Sequence, residues 1–390
     1  MLSYSLNVLF IIGAVQAFFL ATLVFSKKNK ITGDYVLGTW IGFMGIHLFN
    51  YYLFASGFLE KYPSLISIGT NFPMLQGPFM FVYVMVMISR ENRIKPSWWF
   101  HALPYLLSLA YFLVDYQFLS YEEKMAYIEM AKMDPKPVIL VMKLLNVTTG
   151  PFYVILSLIK LNKHSKEIAR NFSYKEHIDL KWLRHVLAGL GFVWFIVVVS
   201  NVLRFFVTFS WYIWFEHGIY IAVTIAVFFL GYFGIKQQAI YVSHPEDQRD
   251  KPHENKPNVS TTKDAHIKRY EKSGLKADEA IGHLQVLKAY MEKEKPYLNG
   301  KLTLKEVADA LDISENHLSQ VINGQLHVNF FDFINQYRVE LVKKKMNDPD
   351  YNHYTLLGVA MDCGFNSKSS FNAIFKKMTE LTPSEYLRTL

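Results

Sequence analysis

The sequence predicts an all-α protein in two parts: a polytopic seven-helix membrane bundle followed by a cytoplasmic tandem helix-turn-helix domain. Three observations carry that prediction. Seven apolar segments fill residues 1–235, basic residues gather in alternate loops between them, and a helix-turn-helix pattern occurs twice in residues 301–390. The 390 residues are 51% hydrophobic and 16% aromatic with 19% charged, far more apolar than a soluble globular protein needs.

The apolar segments lie at about 5–25, 35–57, 66–88, 99–119, 138–159, 186–207 and 217–235, each near the length that crosses a hydrocarbon core. The first run, Leu6 to Phe25, is too long for a signal-peptide core and has no charge before it. It ends at Ser26-Lys27-Lys28-Asn29-Lys30, a cytoplasmic stop. Loops placed inside carry 13 basic residues: Lys27, Lys28, Lys30, Arg90, Arg93, Lys95, Lys160, Lys163, Lys166, Arg170, Lys175, Lys181 and Arg184. Loops placed outside carry only Lys61, Lys124, Lys132 and Lys136. That bias sets the N-terminus outside and, after an odd number of crossings, the C-terminus in the cytoplasm. Pro73, Pro78, Pro104 and Pro151 are expected to kink or unwind their spans. Trp98, Trp99, Trp182, Trp211 and Trp214 sit near span ends, where an interfacial belt belongs.

Asp115, Lys143, Arg204 and Glu216 fall toward the outer ends of their spans. Charge inside a membrane is costly, so this ion-pair cluster reads either as an outward-facing ligand pocket or as side chains snorkelling and pairing at the interface. His47, Asn50, Asn71, Gln76, Asn146 and Asn201 either line the same cavity or bond helix to helix.

Residues 236–269 form the predicted linker. Mixed charge, three prolines between Ser243 and Pro257, and few apolar residues argue a flexible coil with a reach on the order of 30 Å. The DNA-binding domain is placed at 270–390. Its lead-in carries Ala280, Leu284, Leu287 and Met291 at helical spacing and ends before Pro296. That helix either packs within the domain or serves a dimer contact.

The first helix-turn-helix unit is placed at about 303–323. Thr303 with Glu306 makes a capping box ahead of Val307, Ala308 and Leu311. Ser314 caps a second helix with Leu318, Val321 and Ile322 on one face and Asn316, Ser319, Gln320 and Asn323 on the other. A recognition helix needs that division: an apolar side to fix its angle and short polar groups that reach base edges. A long helix from Phe330 to Val342 joins the units. Lys343-Lys344-Lys345 at its end either touches phosphate or complements the helix C-terminus.

The second unit, about 355–377, repeats the logic. Leu356, Leu357, Val359 and Ala360 build its first helix, Gly364 makes the turn, and Ser367 caps a helix that buries Phe371, Ile374 and Phe375. The runs Ala360-Met361-Asp362-Cys363-Gly364-Phe365-Asn366-Ser367, Phe371 to Lys377 and Thr382-Pro383-Ser384-Glu385-Tyr386 resemble the AraC/XylS family of bacterial transcription regulators, in particular members with a seven-span N-terminal region. The resemblance covers about 270–390. It implies that Asn316, Ser319 and Gln320 enter one major groove and Lys368, Ser369 and Asn372 the next, with Lys376 and Lys377 on phosphates. It implies double-stranded DNA as partner, and with the basic-loop bias the bacterial cytoplasmic membrane as location; a homodimer and an unidentified small-molecule or envelope signal are further expectations. Ala373 stands where many relatives carry arginine, and Glu380 where the family usually has glycine.

Charge refines this picture. Residues 1–235 hold 19 basic and 12 acidic side chains, whereas residues 301–390 hold 10 and 11. The excess of +8 therefore belongs to membrane orientation, and the DNA reading rests on motif spacing. The single cysteine, Cys363, excludes an intrachain disulfide and a cysteine-rich zinc site. No metal ligand set, cofactor or catalytic motif is expected. A retinal pigment needs a lysine in its last span, and 217–235 has none. A transporter-like bundle or an intramembrane enzyme with an accessory DNA-binding domain are the competing classes. Neither a Gly-x-Ser-x-Gly nor a His-Glu-x-x-His occurs to favour the second.

Overall fold

Long apolar runs free of internal breakers become helices because the backbone then satisfies its own polar groups. A computed structural model of the chain describes every residue except 1, 90–92, 176, 177, 179, 204–211, 237–276 and 352. Among the described residues the fold is helical, and its one extended pairing is an isolated antiparallel bridge between Phe172 and Thr303. The chain divides into two compact units: Met1–Lys163 with Leu180–Ser243, and His164–Asp179 with His244–Leu390.

In the apolar unit every predicted span contains helix. α1 (Leu2–Phe25), α2 (Thr32–Ala55), α3 (Phe58–Lys61), α4 (Ile66–Gly69) and α5 (Pro73–Ile88) come first, then α6 (Leu103–Asp115), α7 (Tyr121–Met133), α8 (Pro137–Asn171), α9 (Lys181–Leu203) and α10 (Tyr212–Lys236). Pro73 opens α5 rather than kinking a longer helix, since a first-turn proline has no amide to lose. Pro104 likewise falls in the first turn of α6, after a 3-10 segment Pro96–Ala102, whereas Pro78 and Pro151 do lie inside helices. The outer connection predicted as a loop contains α7, started by a Ser120–Glu123 capping box.

Five helices among the described residues are long and apolar enough to cross a membrane: Asn7–Phe25, Pro96–Asp115, Pro137–Asn171, Lys181–Leu203 and Phe215–Ile235. The 16-residue α5 is apolar but shorter, and α2 is not among the five. α1, α2, α5 and α10 share a core around Trp40, Ile41, Met44 and Leu48. α1 and α2 approach closely where Gly45 faces α1: a Cβ there would lie 3.1 Å from that of Ala17.

The polar residues of this unit bond helix to helix. Trp40 Nε1 donates to Gln76 Oε1 at 2.9 Å, His47 Nε2 meets the Tyr220 hydroxyl at 3.1 Å, and Asn146 Nδ2 donates to Asn71 Oδ1 at 2.6 Å. Asn201 instead bonds Val197 O in its own helix. Of the expected four-charge cluster, the described residues show the surroundings of Asp115. Asp115 pairs with Lys136, not Lys143, at 2.9 Å and accepts from the Tyr111 and Tyr127 hydroxyls. Helix α7 brings Tyr127 to that spot, a placement the loop prediction lacked. Lys143 is exposed and Glu216 half-buried, while Arg204 lies outside the described residues, as do Arg90, Trp211 and most of the predicted linker. An open recess of about 360 Å³ is lined by Lys61, Tyr62, Pro63, Ser64, Leu65, Tyr121 and Lys124, none of them from that cluster.

The second unit is built from α11 (Ala277–Glu294), α12 (Leu304–Ala310), α13 (Glu315–Gln325), α14 (Phe330–Met346), α15 (Leu356–Asp362), α16 (Lys368–Thr379) and α17 (Pro383–Leu387). Helix α14 serves two cores. Its Phe330, Phe333 and Ile334 join Leu287, Met291, Leu304, Val307, Leu318 and Ile322. Its Phe331, Val339 and Val342 join Val359, Phe365, Phe371 and Phe375. Burying each such aromatic contributes roughly 1.5–3 kcal/mol, so the joining helix fixes the two halves to one another.

Candidate nucleic-acid interface

Each helix-turn-helix starts from a capped helix. Thr303 N donates to Glu306 Oε2 at 2.7 Å and Glu306 N to Thr303 Oγ1 at 3.2 Å, the predicted capping box of α12. The chain turns through Asp312, at φ +53°, and Ser314 Oγ then accepts from His317 N at 3.2 Å to start α13. In the second unit Thr355 caps α15 through Gly358 N at 3.1 Å, the turn passes through Gly364 at φ +88°, and Ser367 Oγ accepts from Ser370 N at 3.1 Å to start α16. Helix ends are where local sequence dictates structure most directly, because the first amides need acceptors that a hydroxyl supplies.

The turn residues differ for a reason. Asp312 is exposed, so a Cβ in the left-handed region costs only its local strain. At Gly364 a Cβ would lie 2.3 Å from Tyr297 O and 3.0 Å from Arg338 Nε, so only glycine fits.

The outward face of α13 carries neutral groups. Leu318, Val321 and Ile322 are buried and Asn316 is exposed. Ser319 is half-buried, and Asn323 Nδ2 turns back to Ser319 O at 2.7 Å. Gln320 departs from the expected face. It is half-buried, with an Oε1 that is sealed from solvent and has no hydrogen-bond partner, so reading adenine with both groups requires it to turn outward. Helix α11 packs behind this helix, with Ala280 and Leu284 against Val321. That contact accounts for the apolar spacing of the lead-in.

Helix α16 presents a more open and more basic face. Lys368, Ser369, Asn372, Ala373 and Lys376 are all exposed, above a buried Phe371, Ile374 and Phe375. Lys377 is exposed but engaged: its Nζ lies 2.6 Å from Asp332 Oδ1 of α14. Glu380 ends the helix at φ +63°, the left-handed position that glycine usually fills, and Thr379 Oγ1 bonds Leu381 O at 3.0 Å beside it. Thr382 N and Oγ1 both donate to Glu385 Oε2 at 2.7 Å, and these bonds hold the Glu385 carboxyl below the usual carboxylate range. Of the Lys343–Lys345 cluster, Lys343 pairs with Glu340 at 2.8 Å, and Lys345 lies over the Tyr351 ring at 4.6 Å and 3.9 Å from Asp362. Cys363 is buried in the second core, and burial pushes its thiol up to about 11. Buried and protonated at neutral pH, it is not poised as a nucleophile.

Two buried polar residues on the joining helix escaped the sequence reading. Arg338 is 2% exposed and Asn335 fully buried. Arg338 Nε donates to Tyr297 O at 2.8 Å and Nη2 to Asn299 O at 2.8 Å. A signal existed: Asn335 and Arg338 stand four and seven residues after Phe331, on the same stripe as Val342, where a polar group must be buried and therefore partnered.

The family model for a helix-turn-helix domain matches residues 307–389. An uncharacterised HTH-type transcriptional regulator of Staphylococcus aureus (strain COL) is 36% identical over 85 residues, 22% of this chain and 11% of that protein. One from strain MSSA476 matches over the same shares with the same identity. The transcriptional regulatory protein HptR of S. aureus (strain NCTC 8325 / PS 47) is 27% identical over 88 residues, 23% of this chain and 33% of HptR. The chain thus spans about a tenth of the length of the first relatives it matches, 11%. No solved structure matches the chain.

Proposed function

We propose that the chain is a membrane-bound, one-component regulator of transcription that reads double-stranded DNA through its two helix-turn-helix units. The observation that carries this reading is the pair of equally capped units on one joining helix, each with an outward polar face. Asn316, Ser319 and, turned outward, Gln320 supply base-reading groups in the first unit, and Lys368, Ser369 and Asn372 in the second. Lys376 and Lys377 supply phosphate contacts that set position.

The membrane half of the reading is supported by apolar side chains that the fold leaves uncovered. Phe192 and Phe195 on α9 are 65% and 62% exposed, and Leu144 and Ile155 on α8 are similarly open. Surfaces of that kind suit a lipid surround. Seven apolar segments argue seven crossings, and the 13-to-4 distribution of basic loop residues argues an N-terminus outside and a cytoplasmic C-terminal domain. Dimerisation in the membrane would raise the effective concentration of two DNA-binding domains at one promoter. The signal is a small molecule or envelope component met at the outer face.

The test is genome-wide DNA occupancy of the tagged full chain, combined with carbonate extraction of membranes. Discrete occupied sites that vanish with Asn316→Ala/Asn372→Ala, from a protein that stays in the membrane pellet, are expected. A protein extracted by carbonate, or occupancy unchanged by the double substitution, overturns the reading.

A further inference from the structure

The loop between α8 and α9, predicted as a simple cytoplasmic connection, belongs to the compact unit of the DNA-binding domain: residues 164–179 group with 244–390. The contact is built from backbone and buried polar groups. Phe172 forms the antiparallel bridge with Thr303, and Ser173 N donates to Leu302 O at 3.0 Å. Arg338 reaches the same residue, Nη1 donating to Ser173 O at 3.0 Å and Nη2 to Ser173 Oγ at 3.1 Å. Asn335 Nδ2 adds a bond to Ser173 O at 3.2 Å. Lys175 Nζ sits 4.0 Å from the centre of the Phe331 ring, and Ala169 packs against the second core. Ser173 is only 1% exposed.

We propose that the surface formed by Leu302, Thr303, Asn335 and Arg338 is a docking site for this chain's own inner loop, Phe172 to Lys175, and that docking couples the membrane unit to DNA binding. The segment meets Leu302 and Thr303 backbone to backbone through one isolated bridge, with the Ser173 side chain giving register. The site is made for reversible use. When Ser173 leaves, Arg338 Nε keeps Tyr297 O, Nη2 keeps Asn299 O, Nη1 keeps Asn335 Oδ1, and Asn335 Nδ2 keeps Phe331 O. No nitrogen of the pair is orphaned, so release avoids the large cost of a buried unpaired charge.

The site also lies where the two DNA-reading units meet. Tyr297 and Asn299 lead into the first unit, Arg338 rides on the joining helix, and the Gly364 turn of the second unit closes against Arg338 Nε and Tyr297 O. Asn366 Nδ2 crosses the same seam to Gly300 O at 2.6 Å. The docked loop therefore steadies the spacing of the two recognition helices, while its named contacts fall away from Asn316, Ser319, Lys368 and Asn372. Through α8 the loop is continuous with the apolar helices, so a shift of α8 pulls on this seam directly.

This inference rests on the proposed DNA-binding role only for its consequence; docking itself is read separately. Phe172→Cys and Thr303→Cys are introduced together into the full chain in membranes. A non-hydrogen-bonded antiparallel pair has Cα atoms about 4.5 Å apart, within disulfide reach. The buried native Cys363 stays in place, with the two single variants as controls. Mild oxidation is expected to give an intramolecular cross-link, and adding Ser173→Pro, which removes the amide donor, to reduce its yield about tenfold, the scale of a typical coupling. Absence of the cross-link, or cross-linked dimers in its place, overturns docking within one chain. Ser173→Pro alone is expected to lower genome-wide DNA occupancy about tenfold, with the recognition-helix amides still protected in hydrogen exchange. Unchanged occupancy despite lost cross-linking overturns the coupling. A wild-type chain that occupies no DNA yet cross-links sinks the regulatory reading and leaves docking standing.

Discussion

The two helix-turn-helix units share one plan and divide the work unequally. Both use a hydroxyl cap, a left-handed turn residue and a second capped helix. The first is braced from behind by α11 and presents neutral, partly buried polar groups. The second has Tyr386 of α17 packed on Phe375 behind its helix, and shows exposed lysines around Ser369 and Asn372. In the proposed DNA-binding role, a neutral face suits sequence discrimination and a more basic face adds phosphate grip to its base contacts.

The turn is where this contrast breaks most severely. Gly364→Ala is expected to destabilise the domain by about 3 kcal/mol, joining left-handed strain to a backbone collision. Asp312→Gly at the matching turn is expected to stabilise it by about 1 kcal/mol, because the glycine relieves strain where nothing is crowded. Urea unfolding of the full chain, followed by thiol labelling, measures both. Equal and opposite effects of similar size would mean that the seam at Tyr297 is looser than its geometry.

DNA contact comes next. Asn316→Ala is expected to lose about 1–3 kcal/mol of discrimination at one base position, leaving non-specific binding intact. Lys376→Ala is expected to weaken binding to all sequences and lower the salt slope by about 1. Titrations at several salt concentrations separate them, and identical behaviour would erase the division of labour. At the end of α16, Glu380→Gly is expected to gain about 1 kcal/mol in thermal unfolding by placing glycine at φ +63°. Asp332→Ala frees Lys377 at a stability loss of roughly 0.2–1 kcal/mol, and is expected to tighten DNA binding. Weaker binding would show that the pair positions Lys377 instead.

Acid supplies the gentlest probe. Because the Thr382 bonds depress the Glu385 pKa in the fold, its contribution is present above the unfolded carboxylate value and fades as pH falls through the lower folded one. Glu385→Gln should flatten that part of the stability–pH curve.

Elements governed by local rules were legible in the sequence. Thr303 with Glu306, Ser314, Gly364 and Ser367 all do what their spacing required, and the apolar stripes of α13 and α16 are buried as expected. Readings that depended on partners distant in sequence fared less well. Asp115 found Lys136 because α7 brought its own tyrosine to the pair, and the carbonyl of Gln320 turned inward beside a braced helix. The docking of Ser173 on Arg338 joins residues 165 apart, a pairing that no periodicity encodes.

The lone thiol of Cys363 gives the whole chain a native clock. Buried at 0% exposure and titrating near 11, it reacts only when the second core opens. Its alkylation rate therefore counts openings of the second core, with no residue changed. In the proposed DNA-binding role, bound and free protein can be compared on that single rate.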